Sequence, residues 1–215
     1  RVFNYEIQNQ HKNFSFLASN LDFNIDLKKI DIYKGYSFNN ENYVEKKYIT
    51  IHLDEKWFTK YYYNDFTDIN PTAEQLDIFV KKIMEALNYE YNIIITTGSK
   101  ELNVLKEYTT NFNKINEKQF VKQINKNKIY FIKESSFNEL EAIIKNSSFL
   151  ICCEGGVSHV SHNMGIKTIA FFEKNRLQHT HFWTSHMENL TLFERKNMHE
   201  ISMDDNFFNI ISNKI

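Results

Sequence analysis

Proline and glycine are scarce in this chain, with one proline and five glycines in 215 residues. Collagen-like repeats and Pro/Gly-rich linkers are thereby excluded, and each glycine that remains marks a backbone position worth reading. Cysteine is equally sparse. The only two, Cys152 and Cys153, are adjacent within an apolar run, which excludes a disulfide-stapled scaffold and makes a bridge between them geometrically awkward. They read as buried thiols, and the cysteine usage, with no leader-like apolar segment, favours a reducing, cytoplasmic setting. No apolar run approaches the ~18 residues of a membrane-spanning helix. Neither sign of charge dominates: 26 basic and 27 acidic residues give a formal net charge of −1. No long basic stripe is present, so nucleic acid is not an expected partner. Three catalytic or nucleotide patterns are missing as well: G-x-G-x-x-G, the Walker loop and the G-x-S-x-G elbow.

What the chain does have is a pattern repeated around one central stretch, Ser148 to Phe172. The apolar run Phe149 to Cys153 stops at Glu154-Gly155-Gly156. A helical segment, Val157 to Met164, follows; Gly165 ends it and a second apolar run begins at Thr168. Strand, glycine turn, helix, strand is the reading, and strands apolar on both sides belong to a parallel sheet covered on both faces. Three further runs match it upstream: Tyr48 to Leu53, Ile93 to Thr97 and Ile129 to Ile132. Between them lie helical patterns. One is opened by Asn70-Pro71 and carries Leu76, Phe79, Val80, Ile83 and Leu87; another begins near Lys100; a third is introduced by the Ser136/Glu139 capping box. The polar stretch Asn111 to Lys128 is expected to form a helix and a connection, and Phe207 to Ile211 a docked terminal helix. The fold class that results is α/β, a doubly wound, mostly parallel, Rossmann-like sheet of five strands. It occupies residues 46–215, with residues 1–45 a connector or the edge of another lobe.

In such sheets ligands bind beyond the carboxyl ends of the strands. Glu154-Gly155-Gly156 falls there, where glycines admit close approach and the next helix offers unpaired N–H groups, an arrangement suited to a phosphate or diphosphate. His159, in the first turn of that helix, is placed to donate to an anionic oxygen. Lys56 and Lys60 follow the first strand and Glu101 the second, on the same rim; the lysines suit a diphosphate and the glutamate a ribose hydroxyl. His159, His162, His179, His181 and His186 lack the companion cysteines or carboxylates of a recognisable zinc pattern, so no metal and no cofactor is expected. Trp183 has two readings, a stacking partner for a base or a packing residue.

Taken in order, these pieces resemble the carboxyl-terminal half of glycosyltransferase family 9, the bacterial heptosyltransferase group of GT-B fold. The residues that carry the resemblance are Ile49 to His52 with Lys56-Trp57, Ile93 to Gly98 with Glu101, Ser135 to Leu140, and above all Glu154-Gly155-Gly156-Val157-Ser158-His159 before Gly165-Ile166-Lys167. Residues 11–30 are similar to the connector that precedes this half. Glu154 stands where the family has Asp, Gly155 where it has a hydroxyl residue, and Glu173-Lys174-Asn175 where it has Gly-Pro. The resemblance implies a nucleotide-sugar-binding lobe of a longer enzyme, the chain opening on Arg1 rather than methionine. Gly155, Gly156 and His159 would hold the donor diphosphate, Lys56 or Lys60 the phosphates and leaving-group charge, and Glu101 the ribose. The implied reaction is inverting, metal-independent transfer of a sugar to a hydroxyl of a glycan or glycolipid acceptor, in lipopolysaccharide or other surface-glycan synthesis. The catalytic base belongs to the other lobe, and any membrane contact is peripheral, at the inner face of the inner membrane. Two rival functions share the architecture: a non-catalytic nucleotide-binding module and a nucleotide-sugar epimerase.

Overall fold

The five apolar runs all fold as parallel strands. A computed structural model describes residues 47–58, 71–100 and 102–213, and residues 1–45, Asn70, Lys60 and Glu101 lie outside them. In chain order the elements are β1 (Tyr48–Leu53), α1 (Ala73–Ala86), β2 (Asn92–Thr97), α2 (Asn103–Tyr108), β3 (Asn113–Lys114), β4 (Gln119–Ile124), β5 (Asn127–Ile132), α3 (Phe137–Lys145), β6 (Leu150–Cys153), α4 (Gly156–Asn163), β7 (Thr168–Phe172), α5 (Leu177–Thr184), β8 (Leu190–Glu194), α6 (Met198–Ser202) and α7 (Asp205–Asn213). They form one eight-stranded sheet of order β3-β4-β5-β2-β1-β6-β7-β8. From β5 to β8 every neighbouring pair is parallel; only β3-β4 and β4-β5 are antiparallel.

Period-two alternation divides the core between two faces. Ile49, Ile51, Ile93, Ile95, Ile151 and Phe171 join Phe79 of α1 and Phe207 of α7 in the larger cluster. Leu150, Cys152 and Ala170 meet Leu140 and Ile144 of α3 and Val160 of α4 on the other side. Both cysteines are buried and free, as their apolar surroundings require.

Three expectations need correction. Asn111 to Lys128 holds no long helix; after a short 3-10 turn it is the β3-β4 hairpin leading to β5. Its polarity is that of a sheet edge, where β4 is mostly half-buried. Polar side chains also close its turns: the Asn116 side-chain oxygen accepts from the N–H groups of Lys118 and Gln119, each at 2.9 Å. Asn125, at the β4-β5 turn, takes φ +52°, a conformation asparagine tolerates better than most residues. The second correction is the start of α1. Thr72, not Asn70, caps it; its hydroxyl accepts from Gln75 N–H at 3.2 Å while Gln75 Oε1 accepts from Thr72 N–H at 3.0 Å, so Pro71 precedes the cap. The third is the segment after β7, which supplies α5 and a sixth parallel strand, β8.

The capping box of α3 is present, Ser136 N–H donating to Glu139 at 2.8 Å, and α7 docks through Phe207 and Ile211. Gly165 ends α4 in the left-handed region at φ +71°. The N–H of Ile166 bonds Ser161 C=O and that of Gly165 bonds His162 C=O, both at 2.9 Å, a Schellman closure that aims the chain into β7. Gly165→Ala is therefore expected to lower stability by about 1 kcal/mol, the left-handed cost less the gain from a stiffer unfolded chain. An unchanged midpoint in urea denaturation would contradict this.

Candidate functional site

Taken alone, the six parallel strands have the spatial order β5-β2-β1-β6-β7-β8. Chain order runs outward to one side from β1 and to the other from β6, so the topological switch point lies between these two strands, where a doubly wound sheet opens a crevice at its carboxyl edge. Pairing confirms the opening: β1 and β2 remain in register as far as Leu53↔Thr97, whereas β1 and β6 are paired only at Thr50↔Leu150 and Ile51↔Ile151. Lys56 follows β1 and Glu154 follows β6. The two residues expected from sequence to share a rim therefore flank the crevice itself.

A single 3-10 turn, Glu55–Trp57, carries Lys56. Asp54 caps it, its carboxylate accepting from Lys56 N–H at 3.1 Å. Trp57 anchors it from below: its ring is buried, 5.0 Å from Phe171 and 6.1 Å from Phe79, and its Nε1 donates to His52 C=O at 2.9 Å. Held this way, the Lys56 ammonium donates to the carbonyl of Glu154 at 2.6 Å. One of its three N–H donors is thus directed at the end of β6.

The glycine turn has two distinct halves. Gly155 sits at φ +155°, ψ −161°, a region essentially reserved for glycine, and a Cβ there would collide with the Lys56 ammonium. Gly156 is exposed and a Cβ on it would meet nothing within 4 Å. Close approach at Gly155 is thus by Lys56, and open space lies only over Gly156. Ser158 locks the turn: fully buried, it accepts from Gly155 N–H at 3.3 Å and donates to Gly155 C=O at 2.7 Å. Gly156 and Val157, the first two helical residues, add N–H groups at the positive end of the α4 dipole, beside an ammonium. The chemistry this allows is neutralisation of an anion.

His159 follows on the same helix, half-buried, its ring 6.0 Å from that of His186, which in turn meets His162 at 5.3 Å. Among the described residues no group of three or more His, Cys, Asp or Glu is placed to hold a metal ion. Trp183, half-buried on α5, donates to His179 at 3.1 Å and lies edge-on to Phe182. Lys60 and Glu101, the other two expected site residues, are outside the described residues.

The model of glycosyltransferase family 9 (heptosyltransferase) matches residues 82–211, more than half of the chain. The chain belongs to glycosyltransferase family 9. The matched range contains Glu154 to His159 and begins after Lys56. Among solved structures, E. coli heptosyltransferase WaaC with ADP is similar over 100% of this chain and 59% of its own, at 9% identity and a TM-score of 0.59. The same enzyme with ADP-2-deoxy-2-fluoro heptose matches over 98% and 58%, at 9% identity and 0.53. At such identity the likeness concerns the fold, and this family 9 chain spans less than two thirds of the length of that relative. No curated protein sequence matches it.

Three residues that build the site were not singled out in the sequence. Ser158 had a local one, a hydroxyl three residues after the turn glycine, the spacing of a reciprocal cap. Asp54 had the weaker signal of an aspartate before a turn. Arg195, just after β8, had none: its guanidinium donates to Lys56 C=O from 139 residues away.

Burial sets two protonation states around Lys56. His52 is buried, with Nδ1 3.0 Å from the Thr96 hydroxyl, and burial lowers its pKa to about 4, so it is neutral. Burial raises the Asp54 pKa to about 6, against the opposing pull of Lys56. An unfolded Asp ionises near 4 while the folded one keeps its proton to about 6. Asp54 therefore lowers stability progressively as pH rises from about 4 to about 6, and in full above that. Asp54→Asn keeps a capping oxygen and removes the charge. It is expected to stabilise the protein by about 1–2 kcal/mol at pH 8 and by almost nothing at pH 4. Thermal melts at the two pH values check this; a gain equal at both would disprove the burial argument.

Proposed function

We propose that this chain is the donor-binding lobe of a glycosyltransferase that moves a sugar from a nucleotide-sugar to a hydroxyl of a glycan or glycolipid acceptor, with inversion and without a required metal, in surface-glycan synthesis. The observation that carries the reading is the ammonium of Lys56 held at the open turn before α4, at the one crevice where the sheet reverses. On this reading the donor diphosphate lies over Gly156, receiving hydrogen bonds from the N–H groups at the start of α4, with Lys56 on one side and His159 on the other.

The acceptor oxygen attacks the anomeric carbon from the face opposite the diphosphate. As that bond forms, the bond from the anomeric carbon to the phosphate oxygen breaks, and its electron pair leaves with the nucleoside diphosphate. Negative charge builds on the leaving oxygen, and fixed donors aimed there lower the barrier because they need no reorganisation. The proton of the acceptor hydroxyl goes to a base outside this lobe. Lys60 and Glu101 retain the roles the family resemblance gives them, with phosphate and ribose respectively. Placement at the inner face of a bacterial inner membrane belongs to the same proposal; among the described residues no helix is long and apolar enough to cross a membrane.

Titration calorimetry of the chain with ADP, UDP, GDP and CMP tests the reading. One of the nucleoside diphosphates is expected to bind; Lys56→Ala is expected to weaken it roughly tenfold or more, and His159→Ala by a smaller factor, with the fold intact. Silence from all four nucleotides would count decisively against a donor lobe. Unchanged affinity in His159→Ala would take that residue out of the site.

A further inference from the structure

We infer that Arg195 is a positioning residue for Lys56, fixing from the far end of the sheet where that ammonium can act. Arg195 continues the end of β8, its own N–H donating to Phe172 C=O at 2.8 Å. Arg195 is 4% exposed, and its Nη1 donates a hydrogen bond to the main-chain carbonyl of Lys56. In sheet order β8 and β1 are separated by β6 and β7, a span of roughly 14 Å at the usual strand spacing. The span closes because the Glu55–Trp57 turn leans over the sheet toward β7, as the 5.0 Å contact of Trp57 with Phe171 shows.

Both peptide dipoles of one residue are thereby held by charged side chains. The N–H of Lys56 is held by the Asp54 carboxylate and its C=O by the Arg195 guanidinium. Hydrogen bonds to charged groups are the stronger kind, and together they leave the turn little freedom to rotate its lysine away from Glu154. Burying a guanidinium is costly unless its donors are satisfied, so a purely space-filling role at this position would be met better by an apolar residue. A lysine at 195 would keep the charge but replace a planar fork by a single point donor.

The consequence for ligand binding rests on the donor-lobe reading above; the effect on Lys56 does not, and two measurements on the full chain separate them. The first is a double-mutant cycle of ADP affinity over wild type, Arg195→Gln, Lys56→Ala and the double variant. Arg195→Gln is expected to weaken ADP roughly tenfold, and the double variant to bind no more weakly than Lys56→Ala, because Arg195 acts through Lys56. Arg195→Lys should recover part of the loss. The second needs no ligand: the rate at which acetic anhydride labels the Lys56 amine, read by mass spectrometry. Lys82, whose ammonium bonds Ser202 C=O at 2.6 Å, serves as the internal reference. Arg195→Gln is expected to raise Lys56 labelling several-fold and leave Lys82 unchanged. Additive penalties in the cycle, or unaltered Lys56 labelling in a folded variant, overturn the inference. If wild type binds no ADP, the cycle is run with whichever of UDP and GDP binds; if none of the three binds, the donor-lobe reading is in question and labelling alone decides, and if Arg195→Gln does not fold, Arg195→Lys carries both comparisons.

Discussion

Lys56 bridges the two strands at which the sheet reverses, and the geometry of the rim follows from that bridge. Between β1 and β6 backbone pairing stops short of the strand ends, so another contact must set the width of the crevice there. The ammonium on the Glu154 carbonyl supplies it. A charge-assisted hydrogen bond from a side chain replaces the ladder at the place where a ladder would have closed the site. The facing turn is fitted to the same lysine: the dihedral angles of Gly155 require glycine, and a Cβ there would displace the ammonium.

The support beneath this contact is apolar and general, while the support around it is polar and specific. Trp57 sits in the large core cluster with Phe79, Phe171 and Phe207, so the turn is rooted in contacts between β7, α1 and α7. Burial of such a ring is worth several kcal/mol, enough to place the turn on the sheet but not to orient a flexible side chain above it. Orientation comes from Asp54 and Arg195 on the Lys56 peptide groups, and from His52, whose carbonyl takes the indole N–H while its ring reaches Thr96 on β2. Five strands, β1, β2, β6, β7 and β8, thus meet through the surroundings of one residue.

What the sequence revealed and what it hid divide along the range of the interactions. β1, β2, β6 and β7 are buried on both faces, so their apolar character is continuous and legible, and β5 shows it over Ile129 to Ile132 although Lys128 and Tyr130 leave one of its faces partly open. β4 lies near the sheet edge and half-buried, and its polar residues do not alternate with Phe120, Val121 and Ile124, whose spacing left the helix reading open. β8 is short and mostly half-buried, which hid it inside an aromatic, histidine-rich stretch. Local chemistry was legible in the same way: the Ser136 cap, the Gly165 stop, and Glu154-Gly155-Gly156 at the end of a strand all depend on neighbours within a few residues. Arg195 depends on a partner 139 residues distant, and no periodicity or motif encodes that. Lys56 could be placed on the rim from strand order alone, but not the direction in which its side chain would reach.

The diglycine, read from sequence as one feature, carries two constraints with different causes. Its first residue answers to the protein: dihedral angles that favour glycine, the Ser158 lock on both backbone groups, and an ammonium that a Cβ would push aside. Its second answers to nothing in the described structure and opens on free space. The strand behind them adds no charge of its own, since burial pushes both the Cys152 and Cys153 thiols far above their ordinary range and keeps them neutral. The electrostatics at the head of α4 are therefore set by the helix dipole, Lys56 and Arg195 on the positive side and by Glu154, Asp54 and Glu55 on the negative. Asp54 is the member whose charge changes near pH 6, and its carboxyl accepts from the Lys56 peptide N–H. Acidification thus removes a negative charge from beside the ammonium and, at the same time, weakens the bond that fixes its main chain. The field available to an anion over Gly156 and the precision with which it is aimed are consequently coupled through one carboxylate, and they change in opposite directions with pH.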